Sequence, residues 1–350
     1  MKRQHFSTKP FARVGISISI AALTFLGVPN KVIASEKNGR DVPHLVWPAP
    51  PDEPRIAYLK SISGPSDIGS FPSRWQKVAG FFTGQTAPRD GLIKPFGIAT
   101  DDAGNLYITD TANRAVYFCE VARKKWNRWD HIGKIQFASP VAIVRRDKFF
   151  YTADSELGKV IVFDEKGREQ FVIGSPLQRP VGLDINGDTL FVADSEQHTV
   201  HAFDLQGRPQ FKFGKRGTDP GEFNFPTHIS ADKHGHLLVT DSLNSRVQVF
   251  DAQGKFISEI GSAGDAPGHF GRPKGVAADC FGHIYVVDAV FDNIQVFDLS
   301  GRLLMSWGQG GVKPGQFGVP AGIAIGADNR IYVADPYNHR VQIFQYIGAP

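Results

Sequence analysis

The stretch Arg272 to Asp298 reads RPKGVAADCFGHIYVVDAVFDNIQVFD. A proline opens it, and small residues follow from Gly275 to Ala278. After a turn around Gly282 comes an apolar run from Ile284 that ends in Asp288, then a second turn and the run Ile294 to Phe297. Runs this short, rich in β-branched and aromatic side chains, have the length and chemistry of strands rather than helices. The glycine-bearing connectors mark tight turns. Such a meander is apolar on both faces and needs neighbours on each side.

The chain supplies those neighbours itself. The same pattern begins at Lys94 (KPFGIATDDAGNLYITDTANRAVYF), Ser139 (SPVAIVRRDKFFYTADSELGKVIVFD), Arg179 (RPVGLDINGDTLFVADSEQHTVHAFD), Phe225 (FPTHISADKHGHLLVTDSLNSRVQVFD) and Val319 (VPAGIAIGADNRIYVADPYNHRVQIF). The leading prolines, Pro95, Pro140, Pro180, Pro226, Pro273 and Pro320, are spaced by 45, 40, 46, 47 and 47 residues. An aspartate closes the second run of each unit, at Asp110, Asp154, Asp194, Asp241, Asp288 and Asp335. A fourth strand follows a glycine turn, as in Phe256 to Ile260 and Leu303 to Trp307. Units of 40 to 47 residues with four strands are propeller blades. The expected fold is therefore all-β, a six-bladed β-propeller with repeats at 94–138, 139–178, 179–224, 225–271, 272–318 and 319–346.

The last repeat ends at its third strand, Val341 to Phe344. An orphan strand, residues 55–63, has the spacing of an outer strand, with Tyr58 and Ile62 matching Phe256 and Ile260. It is expected to complete the sixth blade and latch the ring, leaving only short protected edges. Before it, residues 35–54 form a Pro-rich lead-in containing VWPAPPDEP. After it, residues 64–93 form an insert in which Trp75, Val78, Ala79 and Phe82 share one helical face, predicting a short amphipathic helix over about Ser73 to Phe82.

Residues 1–34 have the build of a secretory signal peptide: a basic start, the apolar stretch VGISISIAALTFLGV from Val14 to Val28, and Val32-Ile33-Ala34 before a cut at Ser35. The apolar stretch is shorter than the ~20 residues of a membrane span. The expected address is the periplasm or the exterior, with no stable membrane span once the leader is removed. The net charge of +4 belongs to this leader, because without its five basic residues 34 basic face 35 acidic side chains. A nucleic-acid binder carries its basic excess on the folded domain, so no nucleic-acid partner is expected. Cys119 and Cys280 fall in different repeats, which predicts two free thiols even in an oxidising compartment.

The string P-x-G-[IV]-A-x-D-x-x-G-x-[LI]-Y-V-x-D followed by N-x-R-V-Q-V-F-D resembles the NHL repeat, in register over all six units. Gly214 to Phe223, Gly261 to Phe270 and Gly308 to Phe317 also share G-x-x-G-x-x-P-G-x-F. Repeats two and three depart most, with Ala142 for the glycine, and Leu157-Gly158-Lys159 and Gln197-His198-Thr199 for Asn-x-Arg. The resemblance implies a scaffold that binds protein, RNA or glycan on one face. Some relatives use a similar ring for metal-dependent lyase or hydrolase chemistry. The Trp-Pro-x-Pro-Pro lead-in and Arg-Ile-x-Tyr-Leu strand are similar to exported bacterial members that accompany envelope electron-transfer systems, which implies such a component as partner.

A zinc site on the axis needs three converging ligands. The equivalent positions are Gly97, Ala142, Gly182, His228, Gly275 and Gly322, so His228 stands alone among them. No cofactor and no metal are expected. His234, His236 and His283 fall in the turns after the first strand and read as turn residues on the opposite rim. The six aspartates read as structural acceptors of turn N–H groups, and Arg114, Arg246 and Arg340 as pairing with neighbouring acids or carbonyls across blades. No phosphate loop, Cys-x-x-Cys-His site or nucleophile elbow occurs.

What remains is the face bearing the connections from fourth strand to next first strand and from second to third. It carries Phe96, Arg114, Lys215, Arg216, His228, Lys274, Phe291 and Tyr337. Aromatic and arginine side chains on an irregular surface suit partner binding. The expected function is a non-enzymatic scaffold, a monomer, binding a protein through this loop face. The alternative is a metal-dependent lyase or hydrolase at the channel mouth near His228.

Overall fold

A computed structural model describes residues 45–71 and 91–348. The expected leader and the expected helix around Trp75 lie outside the described residues. Repeats one to five each form one antiparallel sheet of four strands in the order a-b-c-d, strand a innermost, and the sixth supplies strands a, b and c of its blade. Strand a begins at the repeat's proline in five blades (Pro95–Thr100, Pro140–Arg146, Pro180–Asn186, Pro226–Ala231 and Pro273–Ala278) and is the short Ile323–Ile325 in the sixth. Strand b ends on the recurrent aspartate in every blade, as in Leu106–Asp110 and Ile284–Asp288.

The core is six cores. One apolar cluster lies at each interface between neighbouring blades, such as Leu238, Val247, Phe270, Val286 and Phe297 between blades four and five. Another joins Ile62, Leu106, Tyr117, Tyr332 and Val341 between blades six and one. This is why both faces of every strand b are apolar: each sheet is sandwiched. Fully burying one such aromatic or aliphatic side chain contributes about 1.5–3 kcal/mol.

The ring closes as the repeat arithmetic predicts. Ile56–Ile62 is strand d of blade six and pairs antiparallel with strand c, Arg340–Tyr346, in the register Ile56↔Tyr346 to Ile62↔Val341. The lead-in is more than an extended approach, because Val46–Trp47 adds a fifth strand outside it. The Trp47 ring packs edge-on against Phe344 at 5.9 Å, which gives this Pro-rich segment an anchor. The insert begins with a single 3-10 turn, Pro65–Ile68.

Local chemistry explains the motif. Asp110 accepts the N–H groups of Ile93 and Lys94 before strand a and of Ala112 and Asn113 in the b–c turn. Asp194 and Asp288 do the same in blades three and five, so each carboxylate ties two loops together. In the G-x-x-G-x-x-P-G-x-F loops the first glycine has a positive φ and lies under the phenylalanine. A Cβ at Gly261 would sit 2.2 Å from the Phe270 ring. The glutamine of V-Q-V-F is the matching clamp: Gln295 accepts the Gly268 N–H and donates to the His269 carbonyl, as Gln248 and Gln342 do one blade either side.

Two of the three arginines pair as expected, with a neighbouring acid and with carbonyls across the blade boundary. Arg246 and Arg340 bind the aspartate of their own blade, Asp241 at 3.0 Å and Asp335 at 2.8 Å, and the carbonyls of the loop entering that blade. Arg114 does not belong with them. It is exposed and occupies the left-handed position of its turn (φ 49), one residue earlier, where blades four and six have Ser245 and His339.

Candidate functional site

At the glycines of the ring the inner strands approach so closely that a side chain is excluded. A Cβ on Gly97 would lie 2.6 Å from the Val141 carbonyl oxygen, one on Gly275 2.5 Å from that of Ala321, and one on Gly322 2.1 Å from that of Phe96. The positions aligned in the sequence therefore do form one ring. This waist divides the channel. His228 is the one large side chain in the ring, and it lines the space on both sides.

Beyond the waist, toward the a–b turns, is a cavity of about 230 Å³ walled by strand a of all six blades. Its walls are mostly alanine, valine and isoleucine. Asp184 interrupts them, at the position held by Ala99, Val144, Ser230, Ala277 and Ala324 elsewhere. Its carboxylate accepts the N–H of Ala231 at 2.6 Å and of Ile185 at 2.8 Å. Enclosure by the six blades outweighs these bonds and pushes its pKa up to about 6. The same desolvation lowers that of His228 to about 4, so its imidazole is neutral at physiological pH.

On the loop face is a smaller cavity of about 70 Å³. Phe96, His228 and Lys274 line it, so three of the eight expected residues come together. Lys274 is half-buried, and its ammonium lies 5.9 Å from the centre of the Phe96 ring. Arg272 joins them in the wall. The other five stand farther out. Lys215 is paired with Glu222 at 2.9 Å, Arg216 is exposed, Phe291 is half-buried beside Gly271, and Tyr337 is 66% exposed.

Sequence reasoning missed the apolar character of this face. Ile93, Phe225, Leu243, Val290 and Val312 are exposed together with Tyr337. All six lie in d–a or b–c connections of blades four, five, six and one. Their signal was legible: large apolar residues in turns that otherwise favour Asn, Asp, Gly and Ser. His236 and His283 bind Asp232 and Asp279 of their own a–b turns at 2.9 and 2.7 Å, the turn role expected of them. Among the described residues no group of three or more His, Cys, Asp or Glu side chains is placed to hold a metal ion. A groove of about 200 Å³ between blades five and six, lined by Arg55, His283 and Tyr346, lies away from the channel. Cys119 and Cys280 are both free.

Six blades around a waisted channel define the class: the chain is a six-bladed β-propeller. The NHL repeat matches residues 317–344, and a family described as a 6-bladed beta-propeller matches residues 232–309. No curated protein matches the chain in sequence. Among solved structures it is similar to a Bacteroides thetaiotaomicron protein of unknown function, with 16% identity over 83% of this chain and 75% of that one (TM-score 0.59). It is similar to virginiamycin B lyase from Staphylococcus aureus, with 14% identity over 73% and 96% (TM-score 0.56). It is also similar to Kuenenia stuttgartiensis hydrazine synthase, with 14% identity over 75% and 98% (TM-score 0.54). At these identities the likeness is one of fold, and folds of this kind host unrelated functions. No helix among the described residues is long and apolar enough to cross a membrane.

Proposed function

We propose that this propeller is a non-enzymatic scaffold of the cell envelope, exported by its leader, that holds a protein partner on its loop face. One observation carries the reading: six exposed apolar side chains, Ile93, Phe225, Leu243, Val290, Val312 and Tyr337, share that face on consecutive blades. Large apolar side chains exposed in the turns of one face suit an interaction surface, and aromatics among aliphatics match the make-up of binding hot spots. An envelope electron-transfer component is the partner suggested by the lead-in and closing strand. The lyase or hydrolase alternative would centre on His228, which has no set of three metal-ligand side chains around it among the described residues.

The test is capture from the native envelope fraction with the wild-type chain and with Leu243→Ser/Val312→Ser/Tyr337→Ala, followed by rebinding of the purified candidate. A protein that rebinds the first and not the second supports the reading. A candidate that rebinds both equally overturns it, and turnover of lactone or ester substrates abolished by His228→Ala would favour the enzyme instead.

A further inference from the structure

We propose that the loop-face mouth of the channel is an anion site, built from Lys274 and Arg272 with Lys94 nearby, that receives a single carboxylate of the bound protein. This deepens the scaffold reading and rests on it.

The site starts from an anomaly in the repeat. At the second position of strand a the other blades carry Phe96, Val141, Val181, Thr227 and Ala321, and blade five alone carries a charge, Lys274. The residue before the proline is Arg272 in the same blade and Lys94 in blade one. Lys274 is half-buried against the Phe96 ring, and among the described residues no hydrogen bond or ion pair reaches its ammonium. Arg272 is likewise without a side-chain partner there; its backbone N–H goes to Asp288. Burial first, and then the charges of Arg272 and Lys94, hold the Lys274 pKa below the usual lysine range. His228, the other titratable side chain in this wall, is neutral and relieves none of that repulsion. Lys274 and the more exposed Arg272 line one small cavity without a described counter-charge, with the charge of Lys94 close enough to act on Lys274; an anion placed there converts repulsion into charge-assisted hydrogen bonds.

The volume selects the ligand. About 70 Å³ is far below the ~300 Å³ at which pockets begin to enclose whole small molecules. It suits one functional group presented by something larger. The surroundings say what that is: the apolar residues Leu243, Val312 and Tyr337 occupy the same face, which suits a protein carrying an aspartate, a glutamate or its own C-terminus into the mouth. A nucleic acid requires many cations along a track, whereas outside the leader 34 basic residues are balanced by 35 acidic ones.

The test uses the purified chain with ¹³C-dimethylated lysines, following the Lys274 resonance by NMR while acetate, inorganic phosphate or a single-stranded RNA oligonucleotide is added. Acetate is expected to bind saturably and to raise the Lys274 pKa by about one pH unit. Saturable binding should vanish in Lys274→Met, weaken about tenfold in Arg272→Gln, and persist in Lys148→Met, a change in the a–b turn of blade two. A Lys274 pKa that acetate leaves unmoved, or saturation that survives Lys274→Met, overturns the proposal. So does preferential RNA binding with a steep salt slope. A partner that rebinds Lys274→Met as tightly as wild type, yet is lost by the Leu243/Val312/Tyr337 variant, removes the carboxylate site and leaves the scaffold standing.

Discussion

Asp292, the left-handed residue of the b–c turn in blade five, accepts the backbone N–H of Val319 in blade six at 2.6 Å. The same turn position fastens other blades on the loop face. His198 of blade three accepts the N–H of Phe225 in blade four at 3.2 Å, Ser245 donates to the Gly271 carbonyl at 3.4 Å, and His339 bonds the Ile93 carbonyl across the closure. Gly158 takes the position in blade two, where a Cβ would lie 2.9 Å from the Gln178 carbonyl oxygen. One backbone conformation thus sets both the turn and the contact to the next blade.

Asp292 therefore separates charge from geometry. Burial, and next the nearby Asp335 and Asp288, raise its pKa, so the ionised form is held at a cost. Asn keeps the acceptor, tolerates the left-handed backbone and carries no charge. Asp292→Asn is expected to leave urea stability at neutral pH unchanged or increased. Asp292→Ala loses the acceptor and strains the turn, lowering stability by about 1–2 kcal/mol.

At the axis, Gly322→Ala would force a methyl against the Phe96 carbonyl oxygen, an atom the neighbouring backbone holds in place. Overpacking of this kind costs about 1–3 kcal/mol. The expected reading is a lower thermal midpoint, while Gly174→Ser, just past strand d of blade two with open space around it and no left-handed backbone, should cost less.

Arg340 is a planar fork used in full, with Asp335 on one side and the carbonyls of Val312, Lys313 and Gln316 on the other. Lysine cannot reproduce that fork. Arg340→Met and Arg340→Lys should both lower stability, the former by about 3–5 kcal/mol because it leaves Asp335 buried without its cation. Hydrogen exchange should show the loop from Gly308 to Phe317 opening first.

Much of this was legible in the sequence because a repeat reports the same geometry six times. The prolines, the closing aspartates and the orphan strand at Ile56–Ile62 gave the blade count and the latch. Arg114 was misread because Asn-x-Arg in blades four and six becomes Asn-Arg in blade one, which moves the guanidinium from the buried fork to the left-handed turn position. The Val46–Trp47 strand was hidden because prolines on both sides mask a two-residue edge pairing. Asp184 and Lys274 were visible as departures from their columns, but what each does depends on enclosure, which appears only when six inner strands meet.

Asp184 makes the channel's enclosure measurable. Its folded pKa of about 6 lies above the ordinary carboxylate value, so the folded state holds its proton more tightly. That contribution is fully present below about pH 4 and is lost as pH rises through about 6. Between pH 4.5 and 7.5 the wild type should lose on the order of 2 kcal/mol relative to Asp184→Asn. His228, whose lowered pKa acts in the opposite direction, is common to both chains and cancels in the comparison.

On the proposed function the loop face, and not the opposite rim, meets a partner. A photo-crosslinking residue placed at position 337, or at position 281 in the blade-five a–b turn, tests it directly on the chain mixed with the purified candidate partner. A crosslinked product is expected from position 337, mapped by mass spectrometry to one surface of that protein, and none from position 281. Crosslinking from position 281 alone would contradict it.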